Sequence, residues 1–157
     1  MTFEEIYIQY SPKVYRLCMG YVNDPDQAKD LVQDTFIQVW DYLPGFRNES
    51  GVGTWVFTIA TNTCLRQLKK EKKQVRTEMP LQLEEKPADT MDEQVAFLYK
   101  CIASLEENER LIISLVLEEV PQKQIADIIG ISEGNIRVRI HRIKEKLSSI
   151  MKYHGQL

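Results

Sequence analysis

Residues 122–147 read QKQIADIIGISEGNIRVRIHRIKEKL, and they set the expected architecture. Ile125, Ala126 and Ile129 give a short helix one apolar side. Gly130 follows, where a left-handed backbone meets no Cβ clash, and Ser132 stands where an N-cap is needed. Beyond it Ile136, Ile140, Ile143 and Leu147 recur at three- and four-residue steps, forming a narrow apolar stripe on a second helix. At 3.6 residues per turn Gly134, Val138, His141, Arg142 and Glu145 point the other way, with Arg137 and Lys144 on a flank. Two helices joined by a glycine turn have the form of a helix-turn-helix. A valine among arginines suits a major groove, where a methyl meets thymine and a guanidinium forks onto guanine. The basic flanks, Lys146 included, suit phosphates. Duplex DNA is the expected ligand of this segment, in preference to the alternative of an ordinary charged surface helix.

Upstream, the apolar periods are helical nearly everywhere, so the expected fold class is all-α. Residues 3–22 make a first helical region, interrupted near Ser11-Pro12. Asp24 caps a second helix and Pro25 fits its first position. Ala28, Leu31, Val32, Phe36, Val39, Trp40 and Leu43 form its buried stripe, while Asp26, Asp30, Gln33, Asp34 and Asp41 lie away from it. Pro44-Gly45 stops this helix, and 46–53 read as a loop. A long helix is expected from Thr54 to about Lys73. Residues 74–91 hold two prolines and no sustained period, and read as a flexible linker. After it, Thr90-x-x-Glu93 and Ser104-x-x-Glu107 read as two capping boxes. The expected picture is two small helical domains, 1–73 and 92–157, joined by the tether 74–91.

The net charge of −3 hides an alternation. Residues 1–43 carry 3 basic and 7 acidic groups, and 44–77 carry 7 and 2. Residues 78–120 carry 3 and 11, and 121–157 carry 7 and 3. Basic blocks attract phosphates locally even in an anionic chain. The first basic block lies on TWVFTIATNTCLRQLKKEKK, residues 54–73. Phe57, Ala60, Cys64 and Leu68 share one side of it. Trp55, Ile59, Asn62, Arg66, Lys69 or Lys70, and Lys73 share another, which begins aromatic, becomes amide and ends cationic. Aromatic groups stack on unpaired bases, amides read base edges, and lysines hold phosphates.

Other chemistries find little support. Cys18, Cys64 and Cys101 are widely separated, and neither His141 nor His154 stands at ligand spacing to them, so neither a metal site nor a disulfide frame is expected. Three reduced, mostly buried thiols are the expected state. No paired carboxylates, activated nucleophile or phosphate-cradling glycine loop occurs, so neither an enzyme nor a cofactor is expected. There is no membrane-spanning stretch and MTFEEIYIQY lacks signal-peptide order, which gives a cytoplasmic expectation without membrane insertion.

Three stretches together carry a resemblance. DQAKDLVQDTFIQVW (26–40), FRNESGVGTWVFTIATNTCLRQLKK (46–70) and SLEENERLIISLVLEEVPQKQIADIIGISEGNIRVRIHRIKEKL (104–147) resemble, in this order, a bacterial RNA polymerase sigma factor of the extracytoplasmic-function (ECF) group of the sigma-70 family. The likeness implies a sigma region 2 domain and a sigma region 4 domain without region 3 between them. It implies binding to core RNA polymerase, at its clamp helices and flap, and transcription initiation at chosen promoters. Asp30, Gln33 and Asp34, in the helix resembling DLVQDTF, carry over as the core polymerase contact. Trp55, Asn62, Arg66, Lys69, Lys70 and Lys73 fall on the reader of the minus-ten element, Asn62 at the pocket for a flipped-out base. Arg137, Val138, His141, Arg142, Lys144 and Lys146 fall on the reader of the minus-thirty-five element. Promoter DNA and an anti-sigma factor are the further implied partners. A stand-alone helix-turn-helix regulator would explain 121–147 but leave 26–73 without a task. A protein-interaction module with basic helices would bind neither polymerase nor DNA.

Overall fold

The computed structural model describes residues 1–49, 51–74 and 92–155, with side chains described through Gln67 in the long third helix. Among them the order is α1 (Phe3–Val22), α2 (Pro25–Tyr42), a 3-10 turn (Leu43–Gly45), α3 (Val52–Gln74), α4 (Glu93–Ala103), α5 (Glu107–Leu117), α6 (Gln122–Ile129) and α7 (Glu133–Gly155). The all-α expectation holds. Residues 75–91, where most of the expected linker falls, lie outside the described residues.

Helix starts follow capping chemistry. In α1 the Glu5 N–H donates to Thr2 Oγ1 while the Thr2 N–H donates to Glu5 Oε2, each at 3.2 Å. Asp24 Oδ1 accepts from the Asp26 and Gln27 N–H groups, as expected of the α2 cap. Two expected caps shift. Asp92 caps α4 through the Gln94 N–H at 2.7 Å, while Thr90 lies outside the described residues. Ser104 instead closes α4, its hydroxyl donating to the Cys101 carbonyl at 2.7 Å. The box of α5 is set two residues later, with the Glu106 N–H donating to Glu109 Oε1 at 3.0 Å. Helix α3 begins at Val52, two residues before the expected Thr54, because the Trp55 N–H reaches the Gly51 carbonyl at 3.1 Å.

The expected interruption at Ser11-Pro12 does not occur: α1 runs straight through Pro12. Proline removes one helical hydrogen bond, here the bond to the Ile8 carbonyl. Ile8 is 74% exposed, so water can take that acceptor. Ile6 on one side of Pro12, and Val14, Leu17 and Cys18 on the other, are fully buried. Packing on both sides outweighs the lost bond.

The three cysteines are free and buried, as expected. Cys18 on α1 and Cys64 on α3 meet with their Sγ atoms 3.9 Å apart. Hydrogen bonding with Cys64 and burial push the Cys18 thiol well up, so it stays protonated and unreactive.

Helices α1–α3 form one unit and α4–α7 another, but they do not stand apart. Helix α1 packs against α4 and α5 as well as α2 and α3, and α3 packs against α6, so one apolar core runs through both units. The two expected domains are thus packed on one another in this structure. Three contacts explain why α1 is shared. Arg16 Nε and Nη2 donate to the two carboxylate oxygens of Glu118, each at 2.8 Å. Arg110 Nε donates to the Tyr21 carbonyl at 3.0 Å, satisfying an acceptor in the last turn of α1. Gly20 lies so close to Ser114 that a Cβ there would collide with the serine hydroxyl.

Candidate nucleic-acid interface

The turn between α6 and α7 is built as the sequence demands. Gly130 takes φ 88°, the left-handed region that glycine favours. The Asn135 N–H donates to Ser132 Oγ at 3.2 Å, capping α7. Ile136, Ile140, Ile143 and Leu147 are all buried, so the stripe faces the core. The opposite face carries Arg137, Val138, His141, Arg142, Lys144 and Lys146, all exposed. Val138 is 47% exposed among them, a large apolar side chain that the fold leaves to solvent. One expected core position changes. Ile128 is buried and Ile129 only half-buried, since α6 also has α3 as a neighbour.

Two side chains of this face have partners. His141 Nε2 lies 3.0 Å from Glu145 Oε1, one turn on. Lys146 Nζ lies 3.0 Å from Glu109 Oε1 at the start of α5. Burial raises the Glu109 carboxyl, but the Glu106 N–H and the Lys146 ammonium together hold it below its ordinary value. Arg137, Arg142 and Lys144 carry no ion pair among the described residues. This separates the two lysines. With duplex bound, Lys144→Ala is expected to lower the slope of log affinity against log salt by about 0.9, one phosphate contact. Lys146→Ala should lower it by less, since Glu109 competes for that ammonium. Arg137→Ala should weaken binding to some duplex sequences more than others, whereas Lys144→Ala should weaken it to all alike. A salt titration across a duplex library checks all three, and a uniform loss from Arg137→Ala would reduce that arginine to a phosphate clamp.

On α3, Phe57, Ala60 and Cys64 face the core. Trp55 and Ile59 are half-buried, and Asn62 and Arg66 exposed, so the second line reaches solvent as expected. Lys69, Lys70, Lys73 and Leu68 lie beyond the described side chains. Trp55 stacks on Phe46, with ring centroids 4.3 Å apart and planes at 22°. Phe46 therefore already covers one face of the indole, a contact that the sequence left inside a loop. Arg66 is held by α2: its Nη2 donates to Gln38 Oε1 at 2.8 Å.

The acid-amide face of α2 is present. Asp26, Asp30, Gln33, Asp34 and Asp41 are exposed. The apolar stripe needs one correction: Trp40 is 62% exposed, and Thr35 is buried in its stead. Thr35 conceals its hydroxyl by donating to the Leu31 carbonyl at 2.7 Å. Trp40 is left out because its neighbour helix begins there. Phe3, the first residue of α1, touches the indole edge-on at 5.1 Å, and no further turn of α1 exists to cover it. The result is an open groove of about 570 Å³ lined in part by Phe3, Tyr7, Ile37 and Trp40, with Gln33 on its border.

The basic face of α7, the exposed Asn62–Arg66 line of α3 and the acidic face of α2 thus lie on three different helices of two packed units. Residues 6–74 match the family model of sigma-70 region 2. Residues 98–147 match that of sigma-70 region 4. The chain belongs to the sigma-70 family. The RNA polymerase sigma factor YlaC of Bacillus subtilis is 26% identical over 96% of this chain and 92% of its own length. The ECF RNA polymerase sigma factor SigM of the same organism is 29% identical over 96% and 95%. Among solved structures, the sigma factor RpoE in complex with the anti-sigma factor NepR from Bartonella quintana superposes with a TM-score of 0.81 at 24% identity, covering 96% of both chains. This sigma factor is thus of the ECF group, and both units, not the helix-turn-helix alone, take part in the likeness. A stand-alone regulator would need no region 2, so that rival falls away. No described helix of the sigma factor is long and apolar enough to cross a membrane.

Proposed function

We propose that this sigma factor divides its work among three faces. Asp30, Gln33 and Asp34 of α2 dock on core RNA polymerase. Trp55, Asn62 and Arg66 of α3, continued by Lys69, Lys70 and Lys73, engage the minus-ten element. Arg137, Val138, His141, Arg142, Lys144 and Lys146 of α7 engage the minus-thirty-five element. The domain limits that go with this are 1–73 and 92–157. The chain is not itself an enzyme, as polymerase performs nucleotidyl transfer, and it works in the cytoplasm. The observation that carries the reading is the exposed cationic face of α7 together with the exposed Asn62 and Arg66 of α3, one on each sigma-family segment, beside an acidic face that cannot attract DNA.

An anti-sigma factor is the proposed inhibitor. What supports it is the whole-chain likeness to a sigma factor solved in complex with an anti-sigma factor. Its expected action is to hold the two units together as they are here.

Transcription in vitro with added core polymerase on a promoter library tests the function: specific starts are expected only when both proteins are present. Within that assay Asn62→Ala should cripple promoter opening while core affinity stays put. A pocket that loses hydrogen bonds to an extruded base gives up about 1–3 kcal/mol, roughly five- to 150-fold. Permanganate footprinting reads the bubble directly. Wild-type opening by Asn62→Ala on every promoter would remove the residue from the reading face.

A further inference from the structure

Gln38 and Thr63 belong to none of the three faces, yet they hold a member of one of them. Gln38, half-buried on α2, donates from Nε2 to Thr63 Oγ1 on α3 at 2.8 Å. Thr63, itself buried, donates its hydroxyl hydrogen to the Ile59 carbonyl at 2.8 Å. That hydrogen is spent, so Thr63 Oγ1 can only accept, and the amide of Gln38 has one satisfied orientation. Its carbonyl oxygen is thereby turned toward Arg66, whose Nη2 donates to it at 2.8 Å. The same Nη2 lies 3.4 Å from Thr63 Oγ1. Gln38 Nε2 also reaches back to the Asp34 carbonyl at 3.3 Å. Among the described residues every hydrogen bond of the guanidinium falls on Nη2, and none engages its Nε or Nη1 hydrogens. The acceptor that holds it is neutral, so the positive charge is oriented without being cancelled. A carboxylate at position 38 would still accept from the guanidinium but would cancel its charge.

The geometry points to Gln38 as a positioning residue that presents the Arg66 guanidinium to a phosphate of the minus-ten strand, tying the polymerase-docking helix to the promoter-reading helix. This rests on the proposed role of Arg66. An arginine free in solution must be ordered before it can bind, which lowers affinity several-fold. Gln38 removes that cost in advance. Because its own register on α2 is one turn from Asp34, a docked α2 fixes the origin from which Arg66 is aimed.

The test uses holoenzyme and one labelled promoter, with affinity measured across a salt series and core affinity measured alongside. Arg66→Ala is expected to lose about tenfold in promoter affinity and to lower the log–log salt slope by about 0.9. Gln38→Met, similar in shape but without the amide, should lose about three- to fivefold. In the Arg66→Ala background Gln38→Met should lose nothing more, because its effect runs through the arginine. Gln38→Glu keeps an acceptor for Arg66 while giving up the donor to Thr63 Oγ1, and because it neutralises the guanidinium it should lower the slope as Arg66→Ala does. Losses that multiply in the double variant, or a Gln38→Glu slope equal to wild type, would overturn the role of Gln38 alone. Wild-type affinity and slope for Arg66→Ala would instead overturn the underlying reading of Arg66, and the proposal with it.

Discussion

Asp30→Lys combined with Asp34→Lys is expected to abolish assembly with core polymerase while leaving the fold intact. The two carboxylates sit one turn apart on α2, and both are exposed. Neither side chain makes a hydrogen bond or ion pair among the described residues, so the helix loses no contact. Lysine is also the better helix former of the two. The melting temperature should therefore stay within a few degrees of wild type. The docking face, however, changes sign. Close interfacial charge pairs couple by about 1.5–7 kcal/mol, and like charges brought together cost several more. Even at the low end for each position the loss exceeds a hundredfold in affinity, at about 1.4 kcal/mol per tenfold. Anisotropy of labelled protein titrated with core reads it. Holoenzyme forming at wild-type affinity would show that polymerase docks elsewhere, with the open groove at Trp40 the next place to look.

Gly20→Val combined with Arg16→Glu carries the second large effect, and it acts on the packing between the two units. A branched side chain at position 20 has no room, because even its Cβ collides with Ser114. Overpacking of this kind costs about 1–3 kcal/mol when the surroundings must absorb it. Here the surroundings can yield, since Ser114 belongs to the other unit. Reversing Arg16 sets a carboxylate against Glu118, whose side chain is only 8% exposed. Arg16 itself is 48% exposed, so solvent softens the loss below the 3–5 kcal/mol of a fully buried pair, to about 1–3 kcal/mol. Both changes favour separation of α1 from α5. Small-angle scattering should show a larger radius than wild type, and the free protein should gain affinity for duplex containing the minus-thirty-five element. An unchanged radius with an unchanged melting curve would mean that the rest of the α1 and α3 contacts hold the units together without these two.

How far the sequence could carry the fold is clear from individual residues. The helix-turn-helix was legible because its signals are local: a glycine with φ 88°, a serine cap and a stripe of isoleucines every three or four positions. The α2 cap was legible for the same reason. Trp40 was misread because periodicity reports a helix's own faces and says nothing of where the neighbouring helix ends. Pro12 was misread because a backbone penalty weighs less than packing on either side of it. The pairing of Cys18 with Cys64, the Arg16–Glu118 pair 102 positions apart, and the hold of Gln38 on Arg66 depend on tertiary approach, which no local pattern encodes. Asn62 and Arg66 were marked by their line along α3, but the residue that aims Arg66 lay in another helix and looked like one more polar surface group.

The shared packing of α1 sets a length scale. The described residues, packed as one body, come to about 40 Å across, from a radius of gyration near 14 Å. Two promoter elements centred about 25 base pairs apart lie roughly 85 Å from one another along a straight duplex, at about 3.4 Å per base pair. A body of the first size cannot touch both sites of the second. On the proposed assignment of α3 and α7, reading a whole promoter is then a matter of reach before it is one of affinity. The bidentate arginine at position 16 and the missing side chain at position 20 act as a ruler folded shut, and on that assignment spanning both elements requires that these two contacts part.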